Sequence, residues 1–181
     1  PSRRRSASWI WVCALLCVAP LALAQQATVP SVLRLEAETV ATSDQNNLLL
    51  SADRTEALRA SSAQVLQLKG PITPAQRAEL LAAGVTMGDY LPDHAYIVDA
   101  RAADPDVLVS LPYVNWLGDY QNAWKLDPTI GARLAPFVSP ERIALQAEGK
   151  YQLAVTLLPW ADVDKSITEL QAHGATVAVE H

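Results

Sequence analysis

Val65-Leu66-Gln67-Leu68, Gly70-Pro71, Thr73-Pro74-Ala75-Gln76 and the run on to Gly84 form the stretch on which the fold turns. The first four residues are strand-like, and Gly-Pro breaks the strand. Thr73 then stands as a capping residue, Pro74 at the first helical position and Gln76 at the third, so a helix runs to Ala83. Gly84 ends it, where a left-handed residue is needed.

Working outward, Val85 to Leu91 and Ala95 to Ala100 read as two strands joined by the turn Pro92-Asp93-His94. Asp104-Pro105 opens a second helix, with Val107, Leu108 and Leu111 on one face, and Pro112 stops it. Tyr113 to Gly118 is a fourth strand, continuing irregularly to Trp124. The order strand, helix, strand, strand, helix, strand predicts an α+β fold: a ferredoxin-like βαββαβ sandwich over residues 63–124, both helices on one sheet face and the other face free. Trp116 alternates with Val114, so it is expected in the core, facing the helices that carry Leu80 and Leu108.

A second copy of this pattern begins near Tyr151. Tyr151 to Leu158 is apolar and strand-like, Val163, Ile167 and Leu170 lie on one helical face, and Gly174 precedes a strand from Ala175 to Val179. Leu80, Gly84 and Thr86 fall on Leu170, Gly174 and Thr176 at an offset of 90 residues, with Val65 on Val155. Residues 151–181 are therefore expected to start a truncated second unit, and 125–150, with Pro128, Pro136 and Pro140, to be a linker. Residues 25–62 show no sustained period and read as a polar leader with at most one short helix around Asp53 to Ala60.

The first 24 residues set the compartment. Arg3, Arg4 and Arg5 precede an uncharged run from Trp9 to Ala22, and Ala22-Leu23-Ala24 is an A-x-A site before Gln25. They read as a secretory signal peptide cleaved between Ala24 and Gln25, which places the rest outside the cytoplasm, secreted or periplasmic, with no membrane attachment. Both cysteines, Cys13 and Cys17, leave with it. The chain of 181 residues carries a net charge of −5. Removing the peptide takes three Arg and no acid, leaving 11 basic against 19 acidic side chains. No basic cluster remains, which argues against a nucleic-acid partner. With no cysteine left, the domain is expected to be held by core burial alone. The start at Pro1 and the stop within an apparent element read as a piece of a longer chain.

The residues contain little chemistry. No Ser–His–Asp or Cys–His arrangement can be composed from them, and no G-x-S-x-G, phosphate loop or H-E-x-x-H occurs. No catalytic residue, cofactor or metal is assigned. His94 sits in a hairpin turn, His173 in the last turn of a helix, and His181 is terminal. The pairs Asp104/Asp106 and Asp162/Asp164 fall at helix starts, where negative charge is favourable. Tyr113, Trp116, Tyr120 and Trp124 lack interleaved Lys or Arg and read as an aromatic edge strand partly buried under the linker, or as a protein-binding surface.

Gly70-Pro71-Ile72, Leu80 with Gly84-Val85, Asp89 to Val98, Leu111 to Tyr120 and Lys125-Leu126 together resemble the N-terminal pro-region of secreted bacterial subtilisin-like serine proteases. The resemblance covers residues 63–128 well and 151–181 loosely. It implies an intramolecular chaperone and temporary inhibitor, whose partner is the catalytic domain of the same parent chain. That domain's Asp-Thr-Gly, His-Gly-Thr and Gly-Thr-Ser sequences are absent here, so no catalytic residue is carried over. The alternative is a non-enzymatic secreted interaction or surface-display module of tandem units. An acylphosphatase-type hydrolase shares the element order, but the loop Lys69-Gly70-Pro71-Ile72 lacks the Arg and Asn its phosphate would need.

Overall fold

The computed structural model describes residues 29–130 and 139–178 and is α+β, with two antiparallel sheets. The larger sheet contains β3 (Gln64–Leu68), β4 (Thr86–Leu91), β5 (Ala95–Asp99) and β6 (Val114–Asp119), in the spatial order β4-β5-β3-β6. α2 (Pro74–Ala82) joins β3 to β4, and α3 (Pro105–Ser110) joins β5 to β6. All neighbouring strands are antiparallel, with Leu66 facing Tyr96 on one side and Leu117 on the other.

The local signals act as their chemistry requires. Thr73 accepts from Gln76 N–H while Gln76 reaches back to Thr73 N–H, a complete capping box, and Asp104 caps α3 through the N–H groups of Asp106 and Val107. Gly84 closes α2 at φ +90°, and a Cβ there would meet Ala102 O at 2.6 Å. Leu66 and Leu68 of β3, Val98 of β5 and Leu117 of β6 point to one face. There they meet Leu80 of α2 and Leu108 of α3, all buried.

The expected leader folds onto this sheet. β1 (Val32–Arg34) and β2 (Thr39–Ala41) form a two-stranded antiparallel sheet. Its Leu33, fully buried, packs with Val65, Ala95 and Trp116 on the face opposite the helices, and Leu35 and Val40 add to that cluster. The chain then turns around the outer edge of β6 through two short 3₁₀ segments, Asp44–Asn46 and Leu48–Leu50. It reaches the helix face as α1 (Arg54–Ala60), where Leu49 and Leu58 join the main core. The short helix is where the sequence placed it. The hairpin is a correction: strands of three residues are too short to show a period, and burial against a preformed sheet stabilises them. The second sheet face is accordingly covered, not free.

Trp116 is buried as expected, but on the hairpin side and away from Leu80 and Leu108. Gln67 pairs with Trp116 and Leu68 with Val114, so Asn115 is an extra residue, a β-bulge. The bulge breaks the two-residue alternation, and Val114 and Trp116 end on opposite faces. β6 stops at Asp119, and Asn122–Lys125 is a 3₁₀ turn rather than a continuing strand.

Beyond the sheet, α4 (Pro140–Ala147) lies in the expected linker, and α5 (Val163–Ala172) is capped by Asp162. Neither carries a buried residue. Residues 151–158 and 175–178, expected as strands, pair with nothing among the described residues. The cleavage site Ala24/Gln25, the arginines and cysteines of the N-terminal segment, and His181 lie outside the described residues.

Candidate functional site

Two glutamines stand in β3, an otherwise apolar and wholly buried strand, and each must find partners there. Gln64 donates to Leu58 O and Ser61 O, and its oxygen accepts from Ala100 N–H. On the hairpin side, Gln67 Nε2 donates to Val32 O at 2.8 Å and Asp93 O at 3.2 Å. Its Oε1 accepts from Asn115 Nδ2 at 2.9 Å, and that amide also donates to Pro30 O. The bulged Asn115 is thus turned toward the hairpin, so the irregularity of β6 serves the attachment of β1.

The turn between β4 and β5 joins the same network. Asp93 and His94 both have positive φ, at 60° and 61°, a conformation aspartate tolerates better than most. This aims the Asp93 carboxylate at Arg34, whose backbone N–H and guanidinium it accepts at 2.9 and 2.6 Å. At the other end of the hairpin face, Trp116 Nε1 donates to Asn46 Oδ1 at 2.8 Å, and Asn47 Oδ1 accepts from Leu117 N–H on the outer edge of β6. Trp124 Nε1 donates to Glu38. An open pocket of about 250 Å³ lies beside these groups, lined by Asn46, Asn47, Ser51, Asp119, Gln121 and Trp124.

This arrangement fastens segments together. His94 lies at positive φ in the β4–β5 turn, and His173 is the C-cap of α5. No group of three or more His, Cys, Asp or Glu is placed to hold a metal among them. Asp104 and Asp162 are helix caps, and Asp106 pairs with Arg54 at 2.9 Å. The Arg101 guanidinium on Asp99 holds that carboxyl below its ordinary range. Burial, with Glu79 accepting from the phenol at 2.9 Å, pushes Tyr113 up to about 12. Burial raises Tyr120 as well, with the Asp89 charge adding to it.

The four aromatic residues do not form one platform. Trp116 is interior, Tyr113 lies over α2, and Tyr120 and Trp124 pack at the hairpin edge with ring centroids 6.3 Å apart. Sequence reasoning missed Gln67, Asn115, Asn46 and Asn47. The available signal was the pair Gln64 and Gln67 in a central strand, each of which required a partner from outside the sheet.

Among the described residues no helix is long and apolar enough to cross a membrane. No curated protein and no solved structure matches the chain. One family model matches residues 28–121, which run from just before β1 to just past β6 and take in the hairpin together with the four-stranded sheet. Spanning more than half of the sequence, that match makes the chain a member of the family described as Domain of unknown function (DUF8729).

Proposed function

We propose that this chain is a non-catalytic, exported pro-region: a ferredoxin-like unit with the start of a second, acting as folding assistant and temporary inhibitor of a subtilisin-like serine endopeptidase that follows it. The observation carrying this reading is the βαββαβ order with strands arranged β4-β5-β3-β6 and both connecting helices on one face. The signal-like N-terminus supports export, and a co-translated domain acts on its neighbour at high effective concentration.

The covered sheet face constrains where such a pro-region would dock. Leu33, Leu35 and Val40 occupy the face of the first unit that a partner would use. Tyr151, Leu153 and Val155, alternate residues between α4 and α5, remain more than half exposed and are the better contact. The same covered face favours a second reading, a non-enzymatic secreted interaction or surface-display module built of tandem units.

The test uses the parent chain. Residues from 25 through the complete second unit, added at micromolar concentration to the catalytic domain, are expected to raise its refolding yield or slow its turnover of a peptide. No effect on either, or a downstream sequence lacking Asp-Thr-Gly, His-Gly-Thr and Gly-Thr-Ser, selects the interaction module.

A further inference from the structure

Gly88 interrupts the regular pairing of β4. Met87 faces Val98 and Tyr90 faces Tyr96, so β4 has one residue more than β5 over this span, a bulge at Gly88–Asp89. Met87, Val98 and Tyr96 pack into the helix-side core. Gly88, next to Met87 along the strand, therefore faces the other way, toward the side that the β1–β2 hairpin covers. Gly88 does not have the positive φ of Gly84, Gly149 and Gly174, so its backbone conformation does not call for glycine. Its neighbours do. A Cβ there would fall 3.1 Å from Ile97 O and 3.2 and 3.3 Å from the Trp160 ring carbons Cζ3 and Cη2, closer than ordinary van der Waals contact. The same indole donates its Nε1–H to Ser62 O at 3.1 Å, just before β3. Ile97, which pairs with Val65, is 6% exposed although it belongs to neither core cluster.

The chain around Trp160 is shaped for this contact. Ala161 N–H bonds to Leu158 O at 2.8 Å, a tight turn, and Asp162 then caps α5. Burial follows the indole. Residues 151–156 are exposed, whereas Leu157, Leu158, Trp160 and Ala161 are half-buried, as are Ile167 and Leu170 on one face of α5. Helix α5 is 10 residues long and has no fully buried side chain. A helix of that length is marginal in water by itself, so its order depends on what its first turn is tied to.

We infer that Gly88, with the carbonyl of Ser62, is a receptor for the Trp160 indole of the same chain, and that this contact latches residues 157–172 onto the hairpin-side face of the sheet. A flat ring fits against a strand residue that has no side chain, and its N–H finds a backbone acceptor at the edge of the same site. Leu33 takes the Ala95 end of that face and Trp160 the Gly88 end, so two segments from outside the sheet divide it between them. One hydrogen bond and one ring hold a half-buried segment, so the latch opens more readily than the sheet unfolds. The inference does not depend on any protease beyond the chain.

Backbone hydrogen exchange of the chain 25–181, read together with exchange of the Trp160 indole N–H, tests it. Trp160→Ala is expected to speed exchange in residues 163–172 on the order of 10-fold while residues 64–119 keep their protection. Gly88→Val attacks the contact from the sheet side, and is expected to loosen α5 in the same way and to free the indole N–H of an intact Trp160. Unchanged exchange of α5 in both variants overturns the inference. So does loosening of 64–119 in step with α5 in Trp160→Ala, which would make the indole part of the core and not a latch. Protection of α5 that rises with protein concentration would give the Gly88 site to a second copy and overturn the intramolecular contact.

Discussion

The indole of Trp116 lies across Gly118, two residues further along β6, so closely that a Cβ on Gly118 would fall 2.1 Å from the ring carbons Cη2 and Cζ2. The bulge at Asn115 puts both residues on the hairpin face, and only the missing side chain lets the ring lie down between Leu33 and Val65. Gly118→Ala is therefore expected to expel the indole and cost about 1–3 kcal/mol, the usual range for overpacking a core. Thermal unfolding checks the cost, and a red shift of tryptophan emission checks the mechanism. An unchanged midpoint would mean that the ring does not need this groove.

Trp116→Ala empties the same site. It removes the largest buried side chain of the hairpin-side cluster and leaves Asn46 without its indole donor, so a loss of ~3–5 kcal/mol is expected in urea unfolding. Leu108→Ala in the same assay should also be costly, about 2–5 kcal/mol. Because the two residues lie on opposite faces, the double variant is expected to show nearly additive losses.

Gln67→Leu keeps the volume and removes the polar contacts. Val32 O, Asp93 O and Asn115 Nδ2 would each lose a partner beneath the hairpin. A loss of about 1–3 kcal/mol follows from the unsatisfied groups. Hydrogen exchange is expected to rise first at residues 32–41, since these contacts hold the hairpin to the sheet. Uniform loosening of α2 and α3 instead would contradict that role.

Gly84→Ala meets two obstacles, a left-handed φ of +90° and the Ala102 carbonyl at 2.6 Å from the new Cβ. The strain is expected to cost on the order of 1–3 kcal/mol. Gly149→Ala is the control, having a φ of +73° but nothing near its Cβ, and should cost less. Equal losses would show that backbone conformation alone accounts for the effect.

Tyr113 titrates late because burial and the Glu79 carboxylate disfavour its anion. Its folded pKa, about 12, exceeds the unfolded value near 10, so the native state holds the proton more tightly. This stabilisation is complete below about pH 10 and is lost as pH rises toward 12. Absorbance at alkaline pH is expected to show late-ionising tyrosine from Tyr113 and Tyr120, and Tyr113→Phe removes the Tyr113 part. Glu79→Gln should move it earlier.

The elements of the four-stranded unit were legible because their signals are local. Thr73-Pro74 with Gln76 starts a helix through its own side chains, Gly84 stops it through its own φ, and Asp104-Pro105 repeats the logic for α3. These residues by themselves determined an α+β chain in the order βαββαβ, together with α1 and α5. Tertiary structure decided the rest, since it depends on neighbours far along the chain. Val32–Arg34 becomes a strand only because Leu33 finds Val65, Ala95 and Trp116. The face chosen by Trp116 was settled by one extra residue, Asn115, held by Gln67 forty-eight positions away. Residues 151–158 have as strong a strand pattern as β3 and yet pair with nothing among the described residues, because a strand exists only when another lies beside it to take its backbone hydrogen bonds.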